Sequence, residues 1–171
     1  LRNACSSRLR CAHVYVSQSG GGARRALELY MHADFCLMPP GDVLARAAIV
    51  DAITVGCIPV LFHRGQAQLW PLHWNASSHA LLFDWSRSSA AERNASAVMA
   101  TLASMAEGEV RAQRARLQRE VAPRVVYSSA YARGNRSAPG PGDAVDVLVR
   151  RLSERIDAFV SGRKSCVGRI T

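Results

Sequence analysis

One stretch of the sequence, residues 35–62, concentrates the side chains and turns that could bind a charged ligand. It reads FCLMPPGDVLARAAIVDAITVGCIPVLF, so a short apolar run leads through a proline-glycine turn at Gly41 and Asp42 into a helix-like segment. Parallel α/β sheets bind ligands outside the carboxyl ends of their strands. A helix that begins there offers free N–H groups to a phosphate, and Arg46 could add a charge-assisted hydrogen bond. The stretch therefore predicts a phosphate site.

Asp51 is the less expected residue of this stretch, because it interrupts a helical pattern that is otherwise apolar. Its carboxylate either faces solvent or accepts hydrogen bonds from a polar ligand such as a ribose. Ala47 and Ala48 lie one turn earlier on the same face and would leave room for that ligand. The simpler alternatives are a helix cap for Asp42 and a solvated side chain for Arg46.

The elements that must position these residues form a strand, a helix and a second strand. Residues 34–38 and 58–62 are apolar runs typical of buried strands, and residues 43–55 fit a helix. Asp42 is predicted to cap the start of this helix, and Gly56 is predicted to follow its end. This order predicts a βαβ unit and therefore a parallel sheet.

The remaining sequence continues the same α/β pattern, and its length of 171 residues suits one domain over residues 1–171. Strands are predicted at 13–17 and 80–85, and helices at 23–32, 89–106 and 109–121. A last amphipathic helix is predicted at 143–160. It is expected to bury five apolar side chains: Val147, Leu148, Leu152, Ile156 and Phe159.

Five cysteines and three glycosylation sequons bear on the compartment. Cys36 and Cys57 begin consecutive predicted strands. If these strands are neighbours, the two Cα atoms lie about 5 Å apart, which is within disulfide range. Two free buried cysteines are the alternative. Cys5 and Cys11 form a local pair, and a metal site of these two with His13 lacks a fourth ligand. The sequon asparagines favour a secretory lumen: Asn75, Asn94 and Asn135.

The net charge is +9, and 22 basic residues face 13 acidic ones. This excess indicates an anionic partner such as nucleic acid, membrane or a phosphate ligand, or a compositional bias with no functional meaning. The arginines of the predicted helix at 109–121 spread around it rather than forming one stripe, so a solvated helix explains them better than nucleic-acid binding. No apolar run reaches the roughly 18–20 residues of a membrane span.

The residues of 35–62 resemble the signature of exostosin-type (GT47) glycosyltransferases, in the plant and algal branch that includes xyloglucan galactosyltransferases. The segments Phe-Cys-Leu-x-Pro-Pro-Gly-Asp, Asp-Ala and Gly-Cys-Ile-Pro-Val carry the match, which continues through Gly65. The resemblance implies a Rossmann-like parallel sheet with flanking helices, the C-terminal lobe of a GT-B enzyme. It also implies inverting transfer from a nucleotide-sugar donor, expected to be a UDP-sugar, to a glycan acceptor. The parent would be a type II Golgi membrane protein with its active lobes in the lumen.

The resemblance also assigns roles to individual residues. Gly41 and Asp42 would face the donor diphosphate, Arg46 would be the basic residue of the helix, and Asp51 would lie near the ribose. The resemblance further implies that Cys36 and Cys57 are bridged, and Cys5 and Cys11 keep the family spacing. Since the chain begins with Leu and matches one lobe, the N-terminal lobe and the membrane anchor are expected to be absent from it.

The chain departs from the family pattern beside these residues. The usual Ser-Tyr-Thr after Gly-Asp is Val-Leu-Ala at 43–45, and further helix arginines are replaced by alanine at 47 and 48. An inactive glycan-binding or scaffold domain is therefore the competing hypothesis. Catalytic residues are not assigned, although His63, His73 and His79 are chemically able to act as a general base. No metal ligands are assigned, and the metal requirement stays open.

Overall fold

The computed structural model describes residues 11–12, 22–89, 93–126 and 142–161. The predicted strand at 13–17, Cys5 and Asn135 lie outside these residues. Three strands are present: β1 (Phe35–Met38), β2 (Ile58–Leu61) and β3 (Leu81–Leu82). Eight α-helices occur in the described part of the chain: α1 (Gly22–His32), α2 (Ala47–Thr54), α3 (Arg64–Ala67), α4 (Ala76–His79), α5 (Ala95–Ser104), α6 (Glu107–Arg116), α7 (Ala122–Val125) and α8 (Ala144–Val160).

The strands form one parallel sheet in the order β1-β2-β3, which confirms the predicted α/β fold. In the register of the sheet, Phe35 lies opposite Ile58 and Val60 lies opposite Leu81. The connection from β1 to β2 runs through α2, as the βαβ pattern predicts. All four residues of β2 are buried, because helices cover both faces of this central strand.

Two apolar clusters pack on opposite faces of the sheet, since alternate strand residues point to opposite sides. On one face, Cys36 and Met38 of β1 pack with α2. A π-helical turn (Leu117–Val121) between α6 and α7 completes this layer, with the side chains of both its end residues buried. On the other face, Val60 packs against α5. The sheet is therefore the middle of three layers.

A disulfide joins Cys36 to Cys57, as the sequence predicts. The two Cα atoms lie 5.8 Å apart, and the bridge closes a chain separation of 21 residues. Both cysteines are buried, Cys36 within β1 and Cys57 just before β2. The bridge therefore fastens β1 to the chain that leaves α2. Cys11 is also disulfide-bonded; its predicted partner is among the residues that the structure does not describe.

The predicted start of α2 is wrong, and Asp42 does not cap it. The helix begins at Ala47, and Arg46 is its N-cap residue with extended backbone and no side-chain capping bond. Tertiary contacts hold residues 41–46 out of the helix, because Leu44 packs on Gly65 and Arg46 donates to a carbonyl before the turn. The end of the helix agrees with the prediction, since Gly56 follows it with φ of +76°.

The final helix α8 begins as predicted but is packed differently. Asp143 caps it by accepting hydrogen bonds from the N–H groups of Val145 and Asp146. Only Val147 of the five expected core side chains is buried. The other four are 49–59% exposed, so the prediction that they are buried is wrong: Leu148, Leu152, Ile156 and Phe159. One narrow side of α8 meets α7, and the described chain covers only that side.

The other boundaries shift by a few residues. The strand expected at 80–85 shortens to β3, and the helix expected at 89–106 becomes α5, which Asn94 caps by accepting from the N–H of Ala97. The helix expected at 109–121 starts earlier, at Glu107, and changes to π geometry at Leu117. Among the described residues, no helix has the length and apolar character to cross a membrane.

Candidate functional site

The candidate site lies at the carboxyl edge of the sheet, where the chain leaves all three parallel strands. Gln66, which is fully buried, ties the first two of these exits together. Its Nε2 donates to the carbonyl oxygen of Met38 at 2.9 Å, and its Oε1 accepts from the N–H groups of Phe62 at 3.0 Å and His63 at 3.1 Å. A buried amide with these three bonds fixes the exits in place.

The loop after β1 contains Gly41 and Arg46, and the structure brings these two residues together. Nη1 of Arg46 donates to the carbonyl oxygen of Pro39 at 2.6 Å. A Cβ atom at Gly41 would lie 3.8 Å from the guanidinium carbon, so the guanidinium covers the glycine. The guanidinium of Arg46 makes no other hydrogen bond within the described chain. Its remaining N–H groups and the uncapped first N–H groups of α2 could bind an anion here.

Leu44 brings this loop against the exit of β2. Its Cδ1 lies 2.6 Å from the position that a Cβ atom at Gly65 would occupy, so the glycine gives the Leu44 side chain the room to pack as it does. Val43 projects outward and is 63% exposed. The loop thus places apolar side chains where the resemblance led to an expectation of hydroxyl groups.

Asp51 and Asp42 are both exposed, and they differ in what surrounds them. Asp51 acts electrostatically on the hydroxyl of Tyr30, and so does Arg46. Burial raises the pKa of Tyr30, while the charge of Arg46 lowers it and that of Asp51 raises it. The phenol is therefore within electrostatic range of both charges. Asp42, which does not cap α2, makes no side-chain hydrogen bond within the described ranges.

Two residues of this region were not predicted from the sequence. Tyr30 belongs to the last turn of α1, shortly before β1. Asp84 follows β3 and accepts hydrogen bonds at Oδ1 from the N–H groups of Arg64 at 3.1 Å and Ser86 at 3.0 Å. Hydrogen bonds from Ser86, helped by Arg64, hold the pKa of Asp84 below its usual value. The strand predicted at 80–85 placed Asp84 inside a strand; because β3 ends at Leu82, Asp84 lies after it, where parallel sheets present ligand-binding groups.

Each of the three histidines considered as bases has at least one ring nitrogen in contact with a polar group, while Nδ1 of His73 is buried without a partner among the described residues. Nδ1 of His63 accepts from the N–H of Gly65 at 2.9 Å, which places the proton of the neutral ring on Nε2. His79 contacts the carbonyl of Asn75 and the carboxylate of Glu120. His73 approaches the carbonyl oxygen of Ala144 at 3.4 Å, at the start of α8. These contacts give each histidine a structural role.

The two sequon asparagines that the structure describes are both exposed helix caps. Oδ1 of Asn75 accepts from the N–H of Ser77 at 3.1 Å, and Oδ1 of Asn94 accepts from the N–H of Ala97 at 2.9 Å. The capping atom is the oxygen, so the amide nitrogen that carries a glycan is not used in capping. Within the described ranges, no group of three His, Cys, Asp or Glu side chains could hold a metal ion.

Comparisons with known proteins show which sequences this chain is similar to. The family model of the exostosin GT47 domain matches residues 3–105. The chain is 31% identical over 139 residues to the probable xyloglucan galactosyltransferase GT15 of Arabidopsis thaliana, covering 78% of this chain and 28% of that protein. It is 29% identical over 161 residues to the xyloglucan galactosyltransferase XLT2 of the same plant, covering 91% of this chain and 30% of that protein. The chain thus spans less than a third of these relatives. No solved structure shows significant similarity to it.

Proposed function

The chain belongs to the exostosin GT47 family, and on this premise we propose that it forms the nucleotide-sugar-binding lobe of a glycosyltransferase. The proposed reaction transfers a sugar from a UDP-sugar to a hydroxyl group of a glycan acceptor with inversion. The acceptor oxygen bonds to the anomeric carbon, and the bond from that carbon to the diphosphate breaks. The electron pair of the broken bond leaves with the diphosphate, and the hydroxyl proton passes to a base.

The observation that carries this proposal is the position of Arg46 over Gly41 at the uncapped start of α2. A leaving diphosphate gains negative charge, so it is stabilised by fixed N–H donors that need no rearrangement. The hydrogen bond to Pro39 holds the guanidinium at the carboxyl edge of the sheet while its other N–H groups remain available. Backbone N–H groups of α2 would supply the remaining contacts.

In this proposal Asp51 accepts hydrogen bonds from the ribose, and Ala47 and Ala48 leave space for it on the same side of α2. The hydroxyl of Tyr30, within electrostatic range of Asp51 and Arg46, borders the same region. Gly41 lets the diphosphate approach the backbone. Asp42 does not cap α2. It stays assigned to the donor side because it lies in the turn beside Gly41. No histidine of the chain is assigned as the base.

The proposed location is the Golgi lumen, with the parent protein anchored in the membrane. The buried Cys36–Cys57 disulfide supports an oxidising compartment. The exposed sequon residues Asn75 and Asn94 are accessible for glycosylation in such a compartment. The relatives named as xyloglucan galactosyltransferases favour a cell-wall polysaccharide as the acceptor of this protein.

Calorimetric titration of the oxidised chain with UDP and UDP-galactose tests the donor site. Arg46→Gln should weaken UDP binding about tenfold, since it removes a charge-assisted contact to the diphosphate. Arg25→Gln on exposed α1 is the matched control and should leave affinity within about twofold. The donor-site assignment is contradicted if the chain shows the expected circular dichroism but does not bind UDP. It is also contradicted if both variants weaken UDP binding equally.

A second candidate function is an inactive domain that binds glycans or serves as a scaffold. The exposed side chain of Val43 favours it, because this loop presents an apolar group rather than a hydroxyl to the carboxyl edge. This alternative predicts binding of xyloglucan oligosaccharides by the chain without any affinity for UDP. The same titration therefore separates the two functions.

A further inference from the structure

A cavity of about 340 Å³, partly open to solvent, lies away from the candidate donor site. It is bordered by the segment before Trp74, by α7 and by one side of α8. Its lining is Pro71, Leu72, Arg124, Val147, Arg150, Arg151 and Glu154. None of these residues belongs to the chain exits at the carboxyl edge of the sheet, so the cavity is a separate feature.

Hydrogen bonds connect the walls of this cavity. Nη2 of Arg124 donates to the carbonyl oxygen of Leu72 at 2.9 Å. His73 approaches the carbonyl oxygen of Ala144 at 3.4 Å, and the N–H of Ala144 donates to the carbonyl oxygen of Val126 at 3.1 Å. These contacts join the loop, α7 and the start of α8. The cavity is thus formed by connected elements and not by a gap between independent ones.

The cavity carries an excess of positive charge, with three arginines against one glutamate. Arg151 pairs with Glu154 at 2.8 Å, which orients its guanidinium. Arg124 is anchored through the carbonyl of Leu72 and makes no ion pair with a described residue. Arg150 likewise makes no ion pair in the part of the chain that the structure describes, although its Nη2 and Oδ2 of Asp146 both lie beside Gly142. Two guanidinium groups therefore remain to bind a carboxylate or another anion.

Other groups in the lining narrow the class of anion. The side chains of Pro71, Leu72 and Val147 provide an apolar surface of the kind that packs against the C–H face of a sugar ring. Glu154 can accept hydrogen bonds from the hydroxyl groups of a saccharide, a contact that a simple inorganic anion without sugar hydroxyls does not provide. The volume falls in the range of about 300–1,000 Å³ that is usual for ligand sites.

We propose that this cavity is a binding site for an acidic saccharide, a glycan segment that carries a uronic acid carboxylate. Arg150 and Arg124 bind the carboxylate, Glu154 accepts from ring hydroxyls, and the apolar wall packs against the ring. The site goes beyond the proposed transferase function and does not depend on it, because it shares no residue with the donor site. A chain unable to bind UDP would still bind the acidic saccharide.

Titration of the oxidised chain with trigalacturonate at low salt tests the proposal. The arginine Nε–Hε signals in ¹H–¹⁵N spectra should shift for Arg124 and Arg150, and the methyl ester of the same trimer should bind at least tenfold more weakly because it lacks the carboxylates. Inorganic phosphate should bind more weakly than trigalacturonate. Equal binding of the methyl ester, or equal binding of phosphate, overturns the assignment to an acidic saccharide.

A matched pair of variants on α8 locates the site. Arg150→Gln should weaken trigalacturonate binding about tenfold, while Arg155→Gln, on the same exposed helix but outside the lining, should change it by less than about twofold. Both positions are exposed, so neither substitution should disturb folding. Unchanged circular dichroism spectra check this. Equal losses in the two variants, or no loss in either, overturn the location.

Discussion

The carboxyl edge of the sheet and helix α8 are held to the rest of the chain in different ways. At the edge, the buried side chain of Gln66 makes three hydrogen bonds to the strand exits, and the Cys36–Cys57 bridge fastens the same βαβ unit. Helix α8 has a complete N-cap but buries only Val147. The candidate site needs fixed N–H donors, and it lies where the buried polar groups have hydrogen-bond partners. Helix α8, by contrast, is held by its N-cap and by its narrow contact with α7.

The largest expected effect of a single substitution is at Gln66. Gln66→Leu leaves the N–H groups of Phe62 and His63 and the carbonyl of Met38 buried without partners, at about 1–3 kcal/mol for each group. We expect the free energy of unfolding to fall by about 4 kcal/mol in a urea titration. Gln68→Leu, at an exposed neighbouring position, is the control and should change it by less than about 0.5 kcal/mol. Similar losses in both variants would show that the edge is not specially fixed.

An intermediate effect is expected at Gly65. Gly65→Ala places a methyl group 2.6 Å from Cδ1 of Leu44, so the Leu44 side chain or its loop must shift, and we expect a loss of about 1–2 kcal/mol. Gly108→Ala is the matched control, because a Cβ there meets nothing within 4 Å inside exposed α6. It should stabilise the protein by about 0.5–1 kcal/mol. Thermal unfolding of the two variants should move in opposite directions; a neutral Gly65→Ala would contradict the close packing of Leu44.

The smallest effects are expected on the outward side of α8. Leu152→Ala should lower the free energy of unfolding by less than about 1 kcal/mol, because the side chain is 59% exposed. Val147→Ala on the inward side should cost about 1–2 kcal/mol. Chemical denaturation of the pair compares the two sides of one helix. A larger loss for Leu152 than for Val147 would mean that the outward side is the packed one in solution.

The sequence was sufficient to predict what depends on local pattern. Apolar runs and the glycine after α2 led to the βαβ unit, and Asp143 was a recognisable cap. The start of α2 was mispredicted because Asp42 followed by an apolar segment has the local form of a capped helix. The contacts that prevent it, Leu44 on Gly65 and Arg46 on Pro39, join positions that the pattern does not relate.

The mispredicted packing of α8 has a different cause. Apolar residues at helical spacing show that a helix has an apolar side, but they do not show which element covers that side. Among the candidate site residues, Gly41 and Arg46 were predicted for the same phosphate site and lie together. Tyr30 and Asp84 come from elements outside the recognised stretch. Their contribution depends on how the chain folds back, which spacing alone does not encode.

The π-helical turn at Leu117–Val121 bears on which changes in chain length this protein tolerates. A π turn takes up one residue more than an α turn over the same rise. Deleting a single residue there would restore α geometry and leave the orientation of the following segment largely unchanged, whereas deleting one residue within α6 would rotate everything beyond it by about 100°. Arg124 would then move away from the carbonyl of Leu72, and α7 would no longer face α2 as it does now. Within the described helical run from α6 to α7, the π turn is therefore the place where the loss of one residue should be absorbed.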